Sequence, residues 1–270
     1  MTPLHAERGV AEFRKAYAHH RAAEGRAMSG AQLRQLPYYE RGPLATQWRV
    51  RARTFDAFAQ HILAPMSRRR TQVRLLDLGA GNGWLSYRAA LVGAMAVAVD
   101  FRDDTVDGLG AASAYVEDGQ HPFHRVVGSF DVLPIALRQF DIVVFNASLH
   151  YTLDLSVALS EAYRVLLPGG RIAILDSPFY GSDADGAEMV REKHREAAVR
   201  FGSGADALMS LPIIEYLTRA RLAAASATLG LTWRRHRVWY PLWYELRPVI
   251  ARLRGRRVPS RFDLWEGTVS

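Results

Sequence analysis

Three observations predict an α/β fold with a doubly wound, mostly parallel sheet. First, Leu75-Leu76-Asp77-Leu78 is an apolar run that ends in the turn Gly79-Ala80-Gly81-Asn82-Gly83-Trp84, and a helix-like segment follows over 85–91. Second, Val97-Ala98-Val99-Asp100 repeats the pattern of a buried apolar run closing on an acid, as expected of a parallel strand covered on both faces. Third, Phe140-Asp141-Ile142-Val143-Val144-Phe145-Asn146 and Arg171-Ile172-Ala173-Ile174 supply two more strand-length runs, with a helical stripe between them.

The glycine turn is the first candidate site. Glycines there let the chain bend sharply and leave bare peptide groups against which a ligand can lie. In an open α/β sheet such a strand-to-helix crevice is where nucleotide-like ligands sit. The dinucleotide fingerprint needs glycines at its first, third and sixth places. Gly79 and Gly81 fill the first two, but Trp84 holds the sixth and Gly83 falls one place early. No Lys-Ser/Thr pair follows, so a P-loop is excluded.

Asp77-x-Gly79-x-Gly81-x-Gly83 resembles motif I of the class I S-adenosylmethionine-dependent methyltransferases. The likeness continues in order through Val97–Asp100, Phe140–Asn146 and Leu166-Leu167-Pro168-Gly169-Gly170-Arg171, and spans about residues 73–176. The branch it is most similar to is the ubiquinone-biosynthesis-like, or type 11, methyltransferase domain. The resemblance implies a Rossmann-like sheet of seven strands, the last antiparallel. It also implies a helical N-terminal cap over 1–66, a cofactor domain over 67–270, and a helical insertion or lid over 177–230. S-adenosylmethionine is the implied cofactor.

Carried over residue by residue, the resemblance places Asp77 and the turn Gly79, Ala80, Gly81, Asn82 and Gly83 around the cofactor. Asp77 engages its cationic amino end or else organises the turn. Asp100 would accept hydrogen bonds from both ribose hydroxyls, a role an acid fills equally in nicotinamide enzymes, and Phe101 would face the adenine. Gly128-Ser129-Phe130-Asp131 departs from the family, which commonly places an Asp where Ser129 stands. Ser129 can still accept a hydrogen bond, the Phe130 N–H can meet the ring, and Asp131 is the candidate replacement acid. Tyr39, with one of Arg49, Arg51 or Arg53, is a candidate for the methionine carboxylate.

Asn146-Ala147-Ser148-Leu149-His150-Tyr151 bears on the reaction. Enzymes that methylate exocyclic base amines carry two prolines where Ala147 and Ser148 stand, which disfavours that target here. Asn146 is expected beside the methionine part of the cofactor, and His150 or Tyr151 near the transferred methyl. A histidine there can take a proton from a hydroxyl or acidic C–H near neutral pH. A packed, cofactor-shaping His150 is the alternative.

The remaining elements follow in order. A helix is expected over most of the first thirty residues. A second has the stripe Trp48, Ala52, Phe55, Ala59 and Ile62, with Thr46 as N-cap and Pro65 as stop. The third strand is read over 124–128. Thr152 or Asp154 caps a helix with the stripe Leu155, Leu159, Ala162 and Leu166, which Gly169 or Gly170 ends. Residues 181–186 read as a solvated turn before a charged helix over 188–201. Asp183 and Asp185 are spaced like calcium ligands but lack the later Glu. A helix is expected over 211–229 and strands over 232–240 and 261–269.

Composition bounds the function. The 270 residues carry no Cys, which rules out disulfides, thiolate metal sites and a cysteine nucleophile. No uncharged run approaches a membrane span, and no signal peptide is evident, so a cytoplasmic location is expected. The formal charge is +8. Between Arg219 and Arg261 eleven arginines face one acid, Glu245, which leaves −2 for the rest. There Leu242, Leu246, Val249 and Leu253 form a stripe beside Trp243 and Tyr244. Such a helix either packs on the sheet or rests on an anionic membrane surface or an anionic substrate. The expected function is methyl transfer from S-adenosylmethionine to a small-molecule or lipid-like acceptor at O or C, with no metal. An RNA-modifying enzyme and a non-catalytic cofactor-binding partner subunit are the rival readings, and a nicotinamide oxidoreductase is more remote.

Overall fold

The apolar runs pair into one sheet. The computed structural model describes residues 28–117, 119–201 and 212–269, so the expected helix near the N-terminus lies, up to residue 27, outside the described residues. The strands are β1 (Arg74–Leu78), β2 (Met95–Asp100), β3 (His124–Val127), β4 (Phe140–Asn146), β5 (Leu166–Leu175), β8 (Leu231–His236) and β9 (Leu264–Val269), with a separate short pair, β6 (Phe179–Tyr180) and β7 (Leu217–Thr218). The seven-stranded order is β3-β2-β1-β4-β5-β9-β8. β1 lies parallel to β2 and β4, β2 to β3 and β4 to β5, whereas β9 runs antiparallel to both β5 and β8. This is the expected seven-stranded sheet with its last strand antiparallel.

Strand alternation sends side chains to two cores. Leu75, Ile142 and Val144 enter one; Leu76, Leu78, Val143 and Phe145 enter the other. The first is covered by α1 (Ala45–Phe58), which buries Trp48, Phe55 and Phe58, and by α2 (Trp84–Leu91). The second is covered by α3 (Leu155–Val165), whose Leu155, Ala158, Leu159, Ala162 and Val165 face inward. Because both faces are covered, the central strands read as largely apolar runs, with Asp77 and Asp141 as buried exceptions. The strand order reverses between β1 and β4, and the crevice opens at the carboxyl ends there.

Several boundaries differ from expectation. The cap of α1 is Leu44 with no side-chain bond, and Thr46 sits inside the first turn, accepting from Arg49. Pro65 does not stop the helix. A π-helical turn over Ala59–Leu63 shifts the bonding to i→i−5 just before it, carrying the helix past a residue with no N–H to give, and Ala64–Ser67 completes it. Helix α3, capped by Asp154, ends at Val165 because Leu166 is extended and pairs with Phe140. Gly169, at φ +75°, therefore turns the bulge between the Phe140 and Ile142 pairings and does not cap the helix.

After β5 come β6 and α4 (Asp183–Phe201), so Asp183 and Asp185 belong to a helix's first turn and not to a solvated loop. Ser182 and Asp185 hydrogen-bond each other there, and acids in a first turn suit the helix dipole. In place of one long helix, β7 and the short α5 (Arg219–Ala225) precede β8, and Thr218 caps α5 through its hydroxyl. The expected strand over 232–240 ends at His236, and the last strand begins only at Leu264. Between them lie α6 (Leu242–Glu245) and α7 (Arg247–Leu253). No helix among the described residues is long and apolar enough to cross a membrane. No group of three or more metal-ligating side chains occurs among them either.

Candidate functional site

The glycine turn is built by contacts to the neighbouring strands. Gly79 and Ala80 donate their N–H groups to the Val99 carbonyl at 2.8 and 3.0 Å, tying the end of β1 to β2. Gly79 lies at φ +72°, and a Cβ there would stand 2.3 Å from Ser148 Cβ. Ser148 is held in turn by its hydroxyl, which donates to the Leu78 carbonyl. The missing side chain at Gly79 thus makes room for the β4 loop. At Gly83, the space a side chain would need is filled by Phe123. Trp84, at the sixth place of the turn, is buried against Trp48 and Phe55 with ring centroids 5.9 and 5.5 Å away. The position that spoils a dinucleotide fingerprint is thus a packing anchor for α1.

A cavity of about 290 Å³ lies between this turn, the ends of β2, β4 and β5, and α1. Among the expected site residues, Gly79, Ala80, Gly81, Asn82, Asp100, Phe101, Phe130, Asn146, His150 and Tyr151 all line it. Asp77, Gly83 and Ser129 stand outside the lining. Asp77 points into the core, where Ser86 donates to its Oδ2 at 3.0 Å and its Oδ1 is buried without a hydrogen bond. Burial drives its carboxyl up to about 7, against the bond from Ser86. Ser129 turns to its own loop, bonding Asp131 at 3.2 and 3.4 Å. Asp131 is drawn to the Thr152 hydroxyl and does not line the cavity either. Tyr39 accepts from Gln32 at 2.7 Å and is likewise absent from the lining.

Asp100 is the best-organised acid in the site. Gly81 N donates to its Oδ2 at 2.7 Å and Arg102 N to its Oδ1 at 2.8 Å, which fixes the carboxylate at the cavity wall. Burial raises its pKa, and these two N–H groups oppose the rise. Each oxygen keeps capacity for another donor. Beyond it, Arg102 is ion-paired with Asp104 at 2.5 Å, and Asp107 accepts from Asn82 at 3.3 Å.

The opposite end of the cavity holds unanswered acceptors. Asn146 Oδ1 and Asp176 Oδ2 are both buried without a hydrogen-bond partner, and both residues line the cavity. Asp176, at φ +51°, accepts from Thr54 of α1 at 2.6 Å through its other oxygen. Burial raises its pKa, opposed by the nearby Arg51 charge and the Thr54 bond. Buried polar atoms without partners are costly, so this wall suits a ligand that brings a cation or N–H donors. His150 lies beside it, Nδ1 3.4 Å from the Ser177 hydroxyl and its ring 4.3 Å from that of Tyr151. The chain after α4 returns to this loop: Ile214 N donates to Thr152 O and Glu215 N to His150 O, both at 3.0 Å.

Asp176, Arg102, Asp107, Trp48, Pro178 and Phe262 line the cavity without having been singled out for it. Asp176 carried a usable signal, since it ends an apolar strand as Asp77 and Asp100 do. Phe262 carried none, being brought in from far along the chain.

An open sheet of this order, with an antiparallel seventh strand and a glycine-rich crevice at the carboxyl end of β1, defines the Rossmann-like methyltransferase fold. The same fold is seen in magnesium protoporphyrin IX methyltransferase (ChlM) from Synechocystis PCC 6803 with bound SAH, at TM-score 0.54 and 14% identity over 90% of this chain and 96% of that one. Residues 76–174 match the methyltransferase domain family, in line with the likeness to the class I S-adenosylmethionine-dependent methyltransferases read from the sequence motifs. Malonyl-[acyl-carrier protein] O-methyltransferase of Erwinia billingiae is 32% identical over 110 residues, 41% of either protein. The ubiquinone/menaquinone biosynthesis C-methyltransferase UbiE of Dinoroseobacter shibae is 33% identical over 110 residues, 40% of this chain and 43% of that one. The chain thus spans about two fifths of the length of these curated relatives.

Proposed function

We propose that this protein transfers a methyl group from S-adenosylmethionine to a small-molecule or lipid-like acceptor, at oxygen or carbon. The observation that carries the reading is the polarity of the cavity. Asp100, anchored by two backbone N–H groups, stands at one end, and the orphaned acceptors of Asn146 and Asp176 stand at the other. A nucleoside with a ribose diol and a cationic amino-acid tail supplies donors to both. Asp100 would take the ribose hydroxyls, Phe101 and Phe130 would flank the base, and Asn146 and Asp176 would take the ammonium. Arg51, also on the cavity wall, would meet the carboxylate.

The bound cofactor would supply a methyl already made electrophilic by its sulfonium. The protein's part is then to hold acceptor and methyl in line and to exclude water. His150, at the cavity wall, would take the acceptor's proton at its ring nitrogen, with Tyr151 shaping the same wall. The two relatives act, by their names, at oxygen and at carbon, which agrees with the absence of the two prolines beside Asn146. Loss of an acceptor pocket would leave no space at His150, and the cavity reaches it.

Isothermal calorimetry tests the cofactor: heat with S-adenosylhomocysteine and none with NAD or ATP is expected, and the reverse overturns the reading. Incubation with methyl-labelled S-adenosylmethionine and fractionated cell extract then locates the acceptor, with label expected in a small-molecule or lipid fraction. Label in protein or RNA would overturn the acceptor assignment.

A further inference from the structure

Among the described residues, seven of the eighteen large apolar side chains left exposed fall within residues 239–253. They are Trp239 at 68%, Leu242 at 79%, Trp243 at 46%, Leu246 at 49%, Val249 at 52%, Ile250 at 41% and Leu253 at 82% exposed. The helices here are fastened from one side only. Tyr244 is the buried residue of α6, with its hydroxyl accepting from Phe262 N at 3.1 Å. Glu245 is clamped by Arg261 at 2.9 Å. α7 buries none of its residues.

Leu246 keeps helical backbone angles between α6 and α7, and the ladder runs through it, from Leu246 N to Leu242 O and from Ile250 N to Leu246 O. Leu242, Leu246, Val249 and Leu253 therefore share one face, on steps of 4, 3 and 4. Around them stand Arg252, Arg254 and Arg256, exposed and in no ion pair among the described residues, with Arg237 stacked 4.3 Å over Trp239.

An exposed apolar helix face rimmed by cations matches one surface well: an anionic bilayer, where apolar side chains enter the acyl boundary and arginines meet phosphates. α7 has seven residues and cannot span a membrane. We propose that α6 and α7 dock this protein flat on an anionic lipid surface. This goes beyond the methyl-transfer reading and bears on it at one point. Tyr240 donates its hydroxyl to the Phe262 carbonyl, and Phe262 lines the cavity, so docking sets the cavity one short segment from the lipid and suits a lipid-like acceptor.

Vesicle co-sedimentation tests the proposal, comparing phosphatidylcholine with phosphatidylcholine containing phosphatidylglycerol, on the whole chain without cofactor. The wild type is expected to pellet with the anionic vesicles and to stay in solution with the neutral ones. The variant R252A/R254A/R256A should bind the anionic vesicles on the order of a hundredfold more weakly, roughly fivefold per arginine. The variant L242S/L253S should lose binding. Both should keep the far-UV spectrum and the S-adenosylhomocysteine affinity of the wild type, because none of these residues lines the cavity. Wild type that ignores anionic vesicles, or variants that bind as well as wild type, would overturn the proposal. So would a dimer seen by light scattering that L253S dissociates, since a second copy would then cover the face. Cofactor binding is read separately by calorimetry, so failure of docking leaves the methyl-transfer reading standing, and the converse holds.

Discussion

Replacing Gly79 by alanine tests how the glycine turn and the β4 loop depend on each other. A Cβ at residue 79 would stand 2.3 Å from Ser148 Cβ and 3.0 Å from its Oγ, and the backbone there has φ +72°. The left-handed conformation costs a residue with a Cβ about 1–2 kcal/mol. Overpacking against a rigid neighbour costs about 1–3 kcal/mol more. Ser148 is held in place, being buried and bonded to the Leu78 carbonyl. Gly79→Ala should therefore destabilise by about 2–5 kcal/mol, lowering Tm by about 10 °C for a chain of this size. The double variant Gly79→Ala/Ser148→Gly removes the clash but not the dihedral cost. It should be more stable than the sum of the single changes by at least about 1 kcal/mol. Urea unfolding of the four proteins measures that coupling, and calorimetry with S-adenosylhomocysteine should show Gly79→Ala binding more weakly. Additivity within about 0.5 kcal/mol would refute the claim that Ser148 occupies the space the glycine leaves.

Three further outcomes follow from the site. Burial raises the Asp77 carboxyl from 3.8 to about 7 in the folded chain, so the stability it contributes is complete below pH 3.8 and is lost as pH rises towards about 7. That loss is about 4 kcal/mol at full ionisation, and Asp77→Asn should be more stable than wild type at pH 8. Parallel stability curves for the two proteins across pH 4–8 would show that another group titrates. Asp100→Ala, which removes the acceptor anchored by Gly81 and Arg102, should weaken S-adenosylhomocysteine binding at least about tenfold, since hydrogen bonds to a charged group are worth about 1.5–3 kcal/mol; unchanged heat would remove it from the site. His150→Ala should lower kcat while leaving cofactor affinity near that of the wild type, and an equal loss of both would make His150 a cofactor-shaping residue and not a base.

The sequence alone determined the central strands of the sheet. Strand positions β1, β2 and β4 follow from predominantly apolar runs, because a strand buried on both faces has little polar side to show. The glycine spacing and the acid closing β2 located the crevice for the same local reason: bare backbone and a carboxylate at strand ends are written in consecutive residues. Local pattern misled where long-range contacts competed with it. Leu166 fits a helical stripe, yet pairing with Phe140 draws it into β5. Pro65 signals a stop, yet the π-turn carries the helix through it.

The inner face of the cavity was beyond the reach of local pattern. Asp176, Phe262 and Trp48 converge from the end of β5, the approach to β9 and α1, and no spacing rule links residues so far apart. Asp77, the acid that opens the motif, is turned into the core by the alternation of β1, so its place in the motif does not put it on the cavity wall. The stripe over residues 242–253 was visible as amphipathic, but whether it packs or stays open depends on what folds against it. Tertiary structure decided that question by burying Tyr244 and leaving the leucines out.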